Sequence, residues 1–259
     1  MTATSRAQLD LTDVDAIVNA VRSLRPRLIV NAAGYTAVDQ AEREAELADA
    51  VNARAPAIFA EEAKRLGALF VHYSTDYVFD GTAATPYPEE ARPNPVNIYG
   101  RSKLGGEEAI AAIGGASLTF RTSWVYGLHG QNFLLTIRRL AVERDELRIV
   151  ADQYGVPNWA HALAEATSAI VGGGLSALAE RAGLYHMSAR GSASWFEFAR
   201  AILGAVDRPR LVPIATAEYP TLARRPAYAV LATRKLEDSF GVVLPEWRES
   251  LARCLAGPA

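Results

Sequence analysis

The chain has 259 residues, of which 50% are hydrophobic and 22% are charged, and its formal net charge is −2. This fits one domain of ordinary size or a large domain with a smaller lobe, and the lack of basic excess argues against nucleic acid or an anionic membrane surface as a partner. The single cysteine, Cys254, excludes a disulfide framework within one chain and argues against a cysteine-based metal site. Because we also find no signal peptide and no apolar run long enough to span a bilayer, we expect a protein of the reducing cytoplasm.

Helices and strands alternate in the first half of the sequence. Thr12 can cap the first helix, and the Asp15 side chain can accept a hydrogen bond from the backbone of Thr12 in return. Pro26 ends that helix, and Pro56 is expected to break the second. The helices are predicted over residues 12–25, about 44–66 and about 99–113. Short apolar runs without alternation predict strands covered on both faces at residues 27–33, 68–73 and 118–123. The segment 80–97, rich in proline and glycine, predicts a long loop.

The pattern loosens after about Asn132. Further helices are predicted at residues 133–144, 161–171, 194–203 and 246–255, with short strands at 147–150, 184–187 and 211–214. The order of elements predicts an α/β fold with a doubly wound parallel sheet, helices on both faces and a smaller C-terminal lobe. Ligands of such sheets bind outside the carboxyl ends of the strands, where the motifs described next fall.

The most informative constellation is Tyr99 and Lys103, four residues apart, together with Ser74 and Thr75 at the end of a predicted strand. The tyrosine and the lysine share one face of a helix, and a nearby ammonium is expected to lower the pKa of the phenol. Such a tyrosine can give a proton to a carbonyl oxygen that a strand-end hydroxyl also binds. Because no side chain supplies a hydride, a nicotinamide cofactor is implied. On spacing alone, the alternative is a pair of surface neighbours on a helix.

Several segments resemble, in sequence and in order, the signature segments of the dTDP-4-dehydrorhamnose reductase family, which are extended short-chain dehydrogenases. They are VNAAGYTAVD at 30–39, YSTDYVFDG at 73–81, NIYGRSKLGGE at 97–107, FRTSWVY at 120–126, DQYGVP at 152–157, GLYH at 183–186 and ARRP at 223–226. The resemblance implies a Rossmann-like fold that is truncated at its N-terminus. It divides into a truncated dinucleotide-binding domain at 1–131 and mainly a substrate-binding lobe at 132–259, from which some segments return to the main sheet.

The resemblance implies a catalytic set of Thr75, Tyr99 and Lys103. It implies NADPH as the cofactor, with NADH as the alternative, and cofactor contacts from Ser5, Arg6, Asp10, Leu11, Ala32, Ala33, Gly34, Thr36, Asn52, Ser74, Tyr99 and Lys103. The dTDP-sugar substrate is expected to meet Val38, Thr75, Asp76, Tyr77, Trp124 and Arg224, with Arg225 as a second cation for the diphosphate. The structural alternatives are a position just before the helix cap for Asp10 and Leu11, helix capping for Asn52, core packing for Trp124 and a solvated surface for the two arginines.

The implied reaction is the reduction of dTDP-4-dehydro-L-rhamnose to dTDP-L-rhamnose with NADPH, in the biosynthesis of rhamnose-containing polysaccharide. The alternatives are a non-catalytic regulatory subunit of the same fold and a reductase of another 4-keto nucleotide sugar. We expect a monomer or a homodimer. Some members of the family dimerise around a magnesium held by glutamates, but His161 stands here in place of one of them, which argues against that metal.

The sequence departs from the family pattern at its start. The family's glycine-rich turn, which holds the pyrophosphate at a helix N-terminus, does not precede the first helix, and Gly34 is the first glycine. We hypothesise that Met1 is an internal or misassigned start, that residues 2–4 are the tail of the family's second strand, and that Ser5 and Arg6 meet the 2′-phosphate of NADP. We expect exposed apolar sheet edges and weak or absent NADPH binding. A second departure is Tyr228-Ala229, where the family has Asn-Ser.

Overall fold

The structure is a computed structural model that describes residues 2–205 and 208–257, so Met1 lies outside the described residues. The helices of these residues are α1 (Val14–Leu24), α2 (Val38–Ala41), α3 (Ala45–Asp49), α4 (Ala55–Leu66), α5 (Ile98–Ile113), α6 (Phe133–Glu143), α7 (Ala160–Gly172), α8 (Leu175–Ala179), α9 (Trp195–Leu203), α10 (Arg234–Phe240) and α11 (Trp247–Ala256). A π-helical turn joins α3 to α4 (Ala50–Arg54), and 3-10 turns occur at Asp76–Val78 and Thr216–Glu218. Among the described residues, no helix is long and apolar enough to cross a membrane.

The strands of the described residues are β1 (Leu28–Asn31), β2 (Leu69–Thr75), β3 (Ser117–Thr122), β4 (Val125–Tyr126), β5 (Glu146–Val150), β6 (Tyr154–Gly155), β7 (Asn158–Trp159), β8 (Gly183–His186), β9 (Ala193–Ser194) and β10 (Arg210–Ile214). The central sheet is parallel and has the order β1-β2-β3-β8. Its carboxyl ends therefore lie along one edge, which places Thr75 and Thr122 beside each other in register.

Helices cover both faces of the sheet. Phe70 of β2 packs in a core with α1, α4 and α5, whereas its neighbours Leu69 and Val71 pack in a second core with α7, α8 and α10. Successive side chains of a strand point to opposite faces, so an uninterrupted apolar run suits a strand that is buried on both sides. The strands predicted from such runs are confirmed as β1, β2 and β3, but coverage of both faces is confirmed only for β2 and β3, because β1 has one exposed and two half-buried side chains.

The second half of the chain, together with Tyr126 of β4, builds a core of its own that includes Phe198 and Trp247. It contains the short parallel sheet of β5 and β10 and the pairs β4–β7 and β6–β9. β8, from this half of the chain, joins the central sheet beside β3, and α7, α8 and α10 cover one face of that sheet. The boundary near residue 131 stays a prediction.

Several local predictions differ from the structure. The first helix is capped by Asp13, whose carboxylate accepts from the Ala16 N–H, and not by Thr12. Pro56 does not end the helix, because the helical run continues from α3 through the π-helical turn into α4; the π-helical turn lies directly before Pro56, where the regular bonding pattern is interrupted. Residues 2–4 form no strand and are exposed, and α8 and α10 were not predicted. Val30 of β1 is 47% exposed, as expected for an uncovered apolar sheet edge.

Candidate active site

Helix α5 begins at the carboxyl end of β2 and brings Tyr99 and Lys103 to that edge. The Asn97 side chain caps the helix by accepting from the Gly100 N–H at 2.7 Å. A side chain at Gly100 would collide with the carbonyl of Tyr77, so glycine permits this close approach of the two backbones. The ring of Tyr99 then lies edge-on to that of Tyr77, with centroids 5.7 Å apart.

Thr75 and Tyr99 form the centre of the candidate site. The Thr75 hydroxyl accepts from the Tyr77 N–H at 3.1 Å and donates to Asp76 Oδ1 at 3.0 Å. Burial raises the pKa of Tyr99 to about 12, and the nearby Thr75 hydroxyl only partly offsets this. The expected lowering of the tyrosine pKa is therefore wrong for this structure, because burial of the phenol sets the direction of the shift.

Lys103 is itself buried, and this burial lowers its pKa to about 8, with Glu107 acting in the opposite direction. Its ammonium group donates to the backbone carbonyl of Tyr73 and lies 3.3 Å from Nε2 of His72. The other ring nitrogen of His72 lies 3.3 Å from Nδ2 of Asn31. The lysine therefore stands at the end of a buried polar chain that sequence analysis did not predict.

A second buried network surrounds Glu107. Arg121 of β3 binds this carboxylate through two N–H donors, at 2.9 and 2.6 Å, and both side chains are at least 93% buried because their exposed fractions are 3% and 7%. The Ser74 hydroxyl also donates to Glu107, so its side chain is turned to the ion pair. Arg121 further approaches His186 Nε2 at 3.4 Å. A glutamate one helical turn after Lys103 was the available sequence signal for this network.

The strand end after β1 forms an exposed rim of small residues at the same edge, consisting of Ala32, Ala33, Gly34 and Thr36. A Cβ atom at Gly34 would lie 3.9 Å from Nζ of Lys103 and 3.2 Å from Oδ1 of Asn52. Asn52 lies in the π-helical turn, is fully buried, and uses its amide to hold the backbone of Tyr35 and the hydroxyl of Ser102. Asn52 thus fixes the rim, and π-helical turns are frequent at functional sites.

The N-terminal residues predicted to meet the cofactor lie apart from this group. Ser5 and Arg6 are exposed, and the Ser5 hydroxyl donates to the Gln8 side chain. Asp10 accepts from the Thr12 N–H, which lowers the pKa of its carboxyl, and Leu11 packs against the core under α1. No hydrogen bond joins these four residues to Thr75, Tyr99 or Lys103 within the described residues.

A cleft of about 910 Å³ opens beside Tyr77, between the sheet edge and the smaller lobe, and its far wall includes Phe133, Trp195 and Tyr219. Arg225 lines it but pairs with Asp39 at 2.7 Å. The lining residue Asp39 also accepts from the Ala223 N–H, so one carboxylate joins the first half of the chain to this loop. Arg224 is exposed and Val38 is half-buried.

Trp124 follows β3 in a left-handed backbone conformation, with φ of 41°, which is rare for a bulky residue. Its indole stacks on that of Trp195, with ring centroids 3.5 Å apart and planes 7° from parallel. A Cβ atom at Gly155 would lie only 2.5 Å from the same indole. Trp124 is therefore held from several sides, and it is Trp195 that lines the cleft.

The parallel sheet, the tyrosine and lysine one helical turn apart on α5, and the hydroxyl at the end of the neighbouring strand define the class of short-chain dehydrogenases and reductases. The family model described as the RmlD substrate binding domain matches residues 1–258. A dTDP-4-dehydrorhamnose reductase of Burkholderia thailandensis is 46% identical over 97% of this chain and 88% of its own length. That of Escherichia coli K12 is 41% identical over 95% of this chain and 84% of its own length.

Solved structures agree with these matches. The crystal structure of the Bacillus anthracis dTDP-4-dehydrorhamnose reductase in complex with NADP superposes with a TM-score of 0.91 at 36% identity, over 98% of this chain and 88% of that one. A UDP-glucose 4-epimerase of Thermus thermophilus in complex with NAD, at 19% identity and a TM-score of 0.75, shares the fold. The chain belongs to the dTDP-4-dehydrorhamnose reductase family. The family and the fold class expected from the sequence are thereby confirmed.

Proposed function

We propose that this chain reduces the C4 ketone of dTDP-4-dehydro-L-rhamnose to dTDP-L-rhamnose with NADPH, in the biosynthesis of rhamnose-containing polysaccharide. NADH is the alternative hydride donor. The observation that carries the proposal is the meeting of Thr75, at the end of β2, with the start of α5, where the Tyr99 ring lies edge-on to that of Tyr77 and Lys103 follows one turn later. A chain that served only as a regulatory subunit would have no need of this set.

The residues divide the chemistry among them. Tyr99 gives the proton to the ketone oxygen, and its phenol is a neutral donor at neutral pH because burial raises its pKa to about 12. Thr75 donates a hydrogen bond to the same oxygen as negative charge develops there. Lys103 binds the nicotinamide ribose at the rim around Gly34. The cofactor, when bound, supplies the hydride.

The residues at the rim fit the nicotinamide end of such a cofactor. Ala32, Ala33 and Gly34 are exposed and small, so their backbone admits a flat group close to Lys103. We also propose that Thr36 contacts the cofactor and that Asn52 acts on it through this rim. At the adenosine end, the proposed contacts are Ser5, Arg6, Asp10 and Leu11. Weak NADPH binding remains a prediction, which calorimetric titration of this chain tests and an affinity in the micromolar range or better would contradict.

For the nucleotide sugar we propose the cleft beside Tyr77. Trp124 is the proposed apolar platform for the deoxysugar, and Val38, Asp76 and Tyr77 are further proposed contacts, of which Tyr77 lines the cleft. Arg224 is the better candidate for the diphosphate, because Arg225 already pairs with Asp39. We propose a cytoplasmic monomer or homodimer without a bound metal. The described residues contain no group of three or more histidine, cysteine, aspartate or glutamate side chains placed to hold one.

Replacement of Tyr99 by phenylalanine tests the reaction. Oxidation of NADPH in the presence of dTDP-4-dehydro-L-rhamnose, at saturating NADPH, should be abolished in Tyr99→Phe while circular dichroism stays that of the wild type. Tyr185→Phe is the matched control, because that hydroxyl only donates to the Arg181 carbonyl in a distant core. Turnover by Tyr99→Phe would remove the tyrosine from its role. A higher kcat/KM for another 4-keto nucleotide sugar would favour the alternative substrate. A wild type that binds NADPH in the calorimetric titration but does not turn over would favour the regulatory subunit.

A further inference from the structure

Asp76 is a buried carboxyl group beside the proposed proton donor. The residue is 2% exposed, its Oδ1 accepts from the Thr75 hydroxyl at 3.0 Å, and its Oδ2 is buried without a hydrogen-bond partner among the described residues. No ion pair joins it to a lysine, arginine or histidine in that part of the chain. A carboxylate so placed lacks both the cation and the full set of donors that an ionised group needs in the interior.

Such a group is held neutral more readily than an exposed one. Burial raises the pKa of Asp76 to about 7, although the Thr75 hydroxyl and backbone N–H groups act in the opposite direction. The titratable groups that face it are Tyr77 on its own segment and Tyr99 from α5. Burial raises the pKa of both phenols, to about 12 for Tyr99, so Asp76 is the member of this cluster that changes charge near neutral pH.

The Thr75 hydroxyl has a single hydrogen to donate. The Tyr77 N–H occupies one of its acceptor positions, and the observed bond to Asp76 uses the hydrogen. An ionised Asp76 can only accept, so it holds that hydrogen away from any ligand. A neutral Asp76 can instead donate its own proton to Thr75, which leaves the threonine hydrogen available for a ketone oxygen.

We propose that Asp76 is a positioning residue whose proton decides whether the Thr75 hydroxyl donates to Asp76 or to the substrate ketone. The inference rests on the proposed function, because it assigns a second residue to the oxygen that Thr75 and Tyr99 bind. Asp76 has no exposed oxygen atom of its own to offer there, so it acts through the threonine.

The first test does not depend on turnover. Difference infrared spectroscopy measures, as a function of pH, the carbonyl band that only a neutral carboxylic acid shows. The band that disappears in Asp76→Asn is assigned to Asp76. Its intensity should fall with a midpoint at pH about 7. Thr75→Val should raise this midpoint, because the Thr75 bond favours the carboxylate, whereas Thr75→Ser should leave it in place. A band already absent at pH about 5, which lies above the ordinary pKa of an exposed aspartate, would overturn the proposal.

The second test measures kcat against pH with the proposed substrate. In the wild type, kcat should fall about tenfold per pH unit above the Asp76 midpoint. This decline should be absent in Asp76→Asn, because the amide stays neutral and can donate to Thr75. The decline in kcat that follows deprotonation of Lys103, near pH 8, should remain in the wild type and in Asp76→Asn. In a Thr75→Val background the Asp76 substitution should add no further change.

The outcomes separate the two proposals. Identical pH profiles of wild type and Asp76→Asn, or an equal effect of Asp76→Asn with and without Thr75, would overturn the positioning role. A wild type that binds NADPH and shows the expected carboxyl midpoint but no turnover would contradict the proposed function while supporting the neutral state of Asp76. Circular dichroism and thermal midpoints of each variant confirm that it folds.

Discussion

Replacing Gly155 by alanine should displace Trp124 from its stacked position. The added methyl group would lie 2.5 Å from Cε2, 2.7 Å from Nε1 and 2.8 Å from Cζ2 of the indole. Carbon atoms in ordinary contact lie about 3.5–4.0 Å apart, so the ring must move by about 1 Å or more. The ring cannot move freely, because it lies flat against Trp195 at 3.5 Å and its own backbone is already in a left-handed conformation.

The expected cost follows from overpacking. Insertion of a methyl group into a well-packed region typically costs about 1–3 kcal/mol. In a chain of this size, each kcal/mol lowers Tm by about 2–4 °C, so Gly155→Ala should lower it by about 2–12 °C. The near-ultraviolet circular dichroism of the two stacked indoles should change as well. Because Trp124 is the proposed sugar platform, the KM for the nucleotide sugar should rise more than that for NADPH.

The chain supplies a matched control at Gly127, close to Trp124 in sequence. A methyl group there meets only the Cβ atom of Ala160, at 3.9 Å, which is an ordinary contact. Gly127→Ala should therefore keep the Tm, the near-ultraviolet spectrum and the KM values of the wild type. If Gly155→Ala behaved like this control, the reasoning about the stack would be refuted.

Three further predictions concern charged groups. Glu107→Gln breaks a buried ion pair with Arg121 and should lower the free energy of unfolding by about 3–5 kcal/mol in urea titrations, whereas Glu143→Gln at an exposed pair should cost less than about 1 kcal/mol. Hydrogen bonds from arginine lower the pKa of Glu62 to about 2. The stabilisation of the fold by the ionised Glu62 is therefore complete above its ordinary pKa of 4.5 and is lost as pH falls toward 2. Glu62→Gln should remove this part of the acid dependence of the urea midpoint. Burial lowers the pKa of Lys103 to about 8, so kcat should fall as pH rises through that value, and a constant rate beyond it would contradict the need for a charged lysine.

The parts of the fold that were predictable are those encoded in short stretches of sequence. The apolar run that became β2 has no alternation because both of its faces are covered, and α5 follows from its helical spacing. The choice between neighbouring residues for the same role was harder to predict. Thr12 and Asp13 both suit a helix cap, and only the backbone geometry shows that the carboxylate of Asp13 accepts from the Ala16 N–H.

The properties that were not predictable depend on contacts between distant segments. The spacing of Tyr99 and Lys103 predicted the pair, but the pKa of the phenol depends on how deeply the whole fold buries it. Arg121, which pairs with Glu107 of α5, comes from β3, and Trp195, which stacks on Trp124, comes from α9. A sequence pattern identifies which chemical groups are present at the site, whereas burial and cross-chain packing set their charge and orientation.

The position of α5 ties these observations together. Gly106, like Gly100, allows a backbone-to-backbone approach, in this case to the carbonyl of Asn52, while Glu107 is bonded to both Ser74 and Arg121 at the strand ends. The helix is thereby fixed both to the sheet and to the turn that holds the cofactor rim. Because Tyr99 and Lys103 lie on this helix, a shift of α5 moves the proton donor and the ribose-binding lysine together. Substitutions at Gly106 should therefore lower kcat although the residue lies three positions after Lys103 and seven after Tyr99 on the helix.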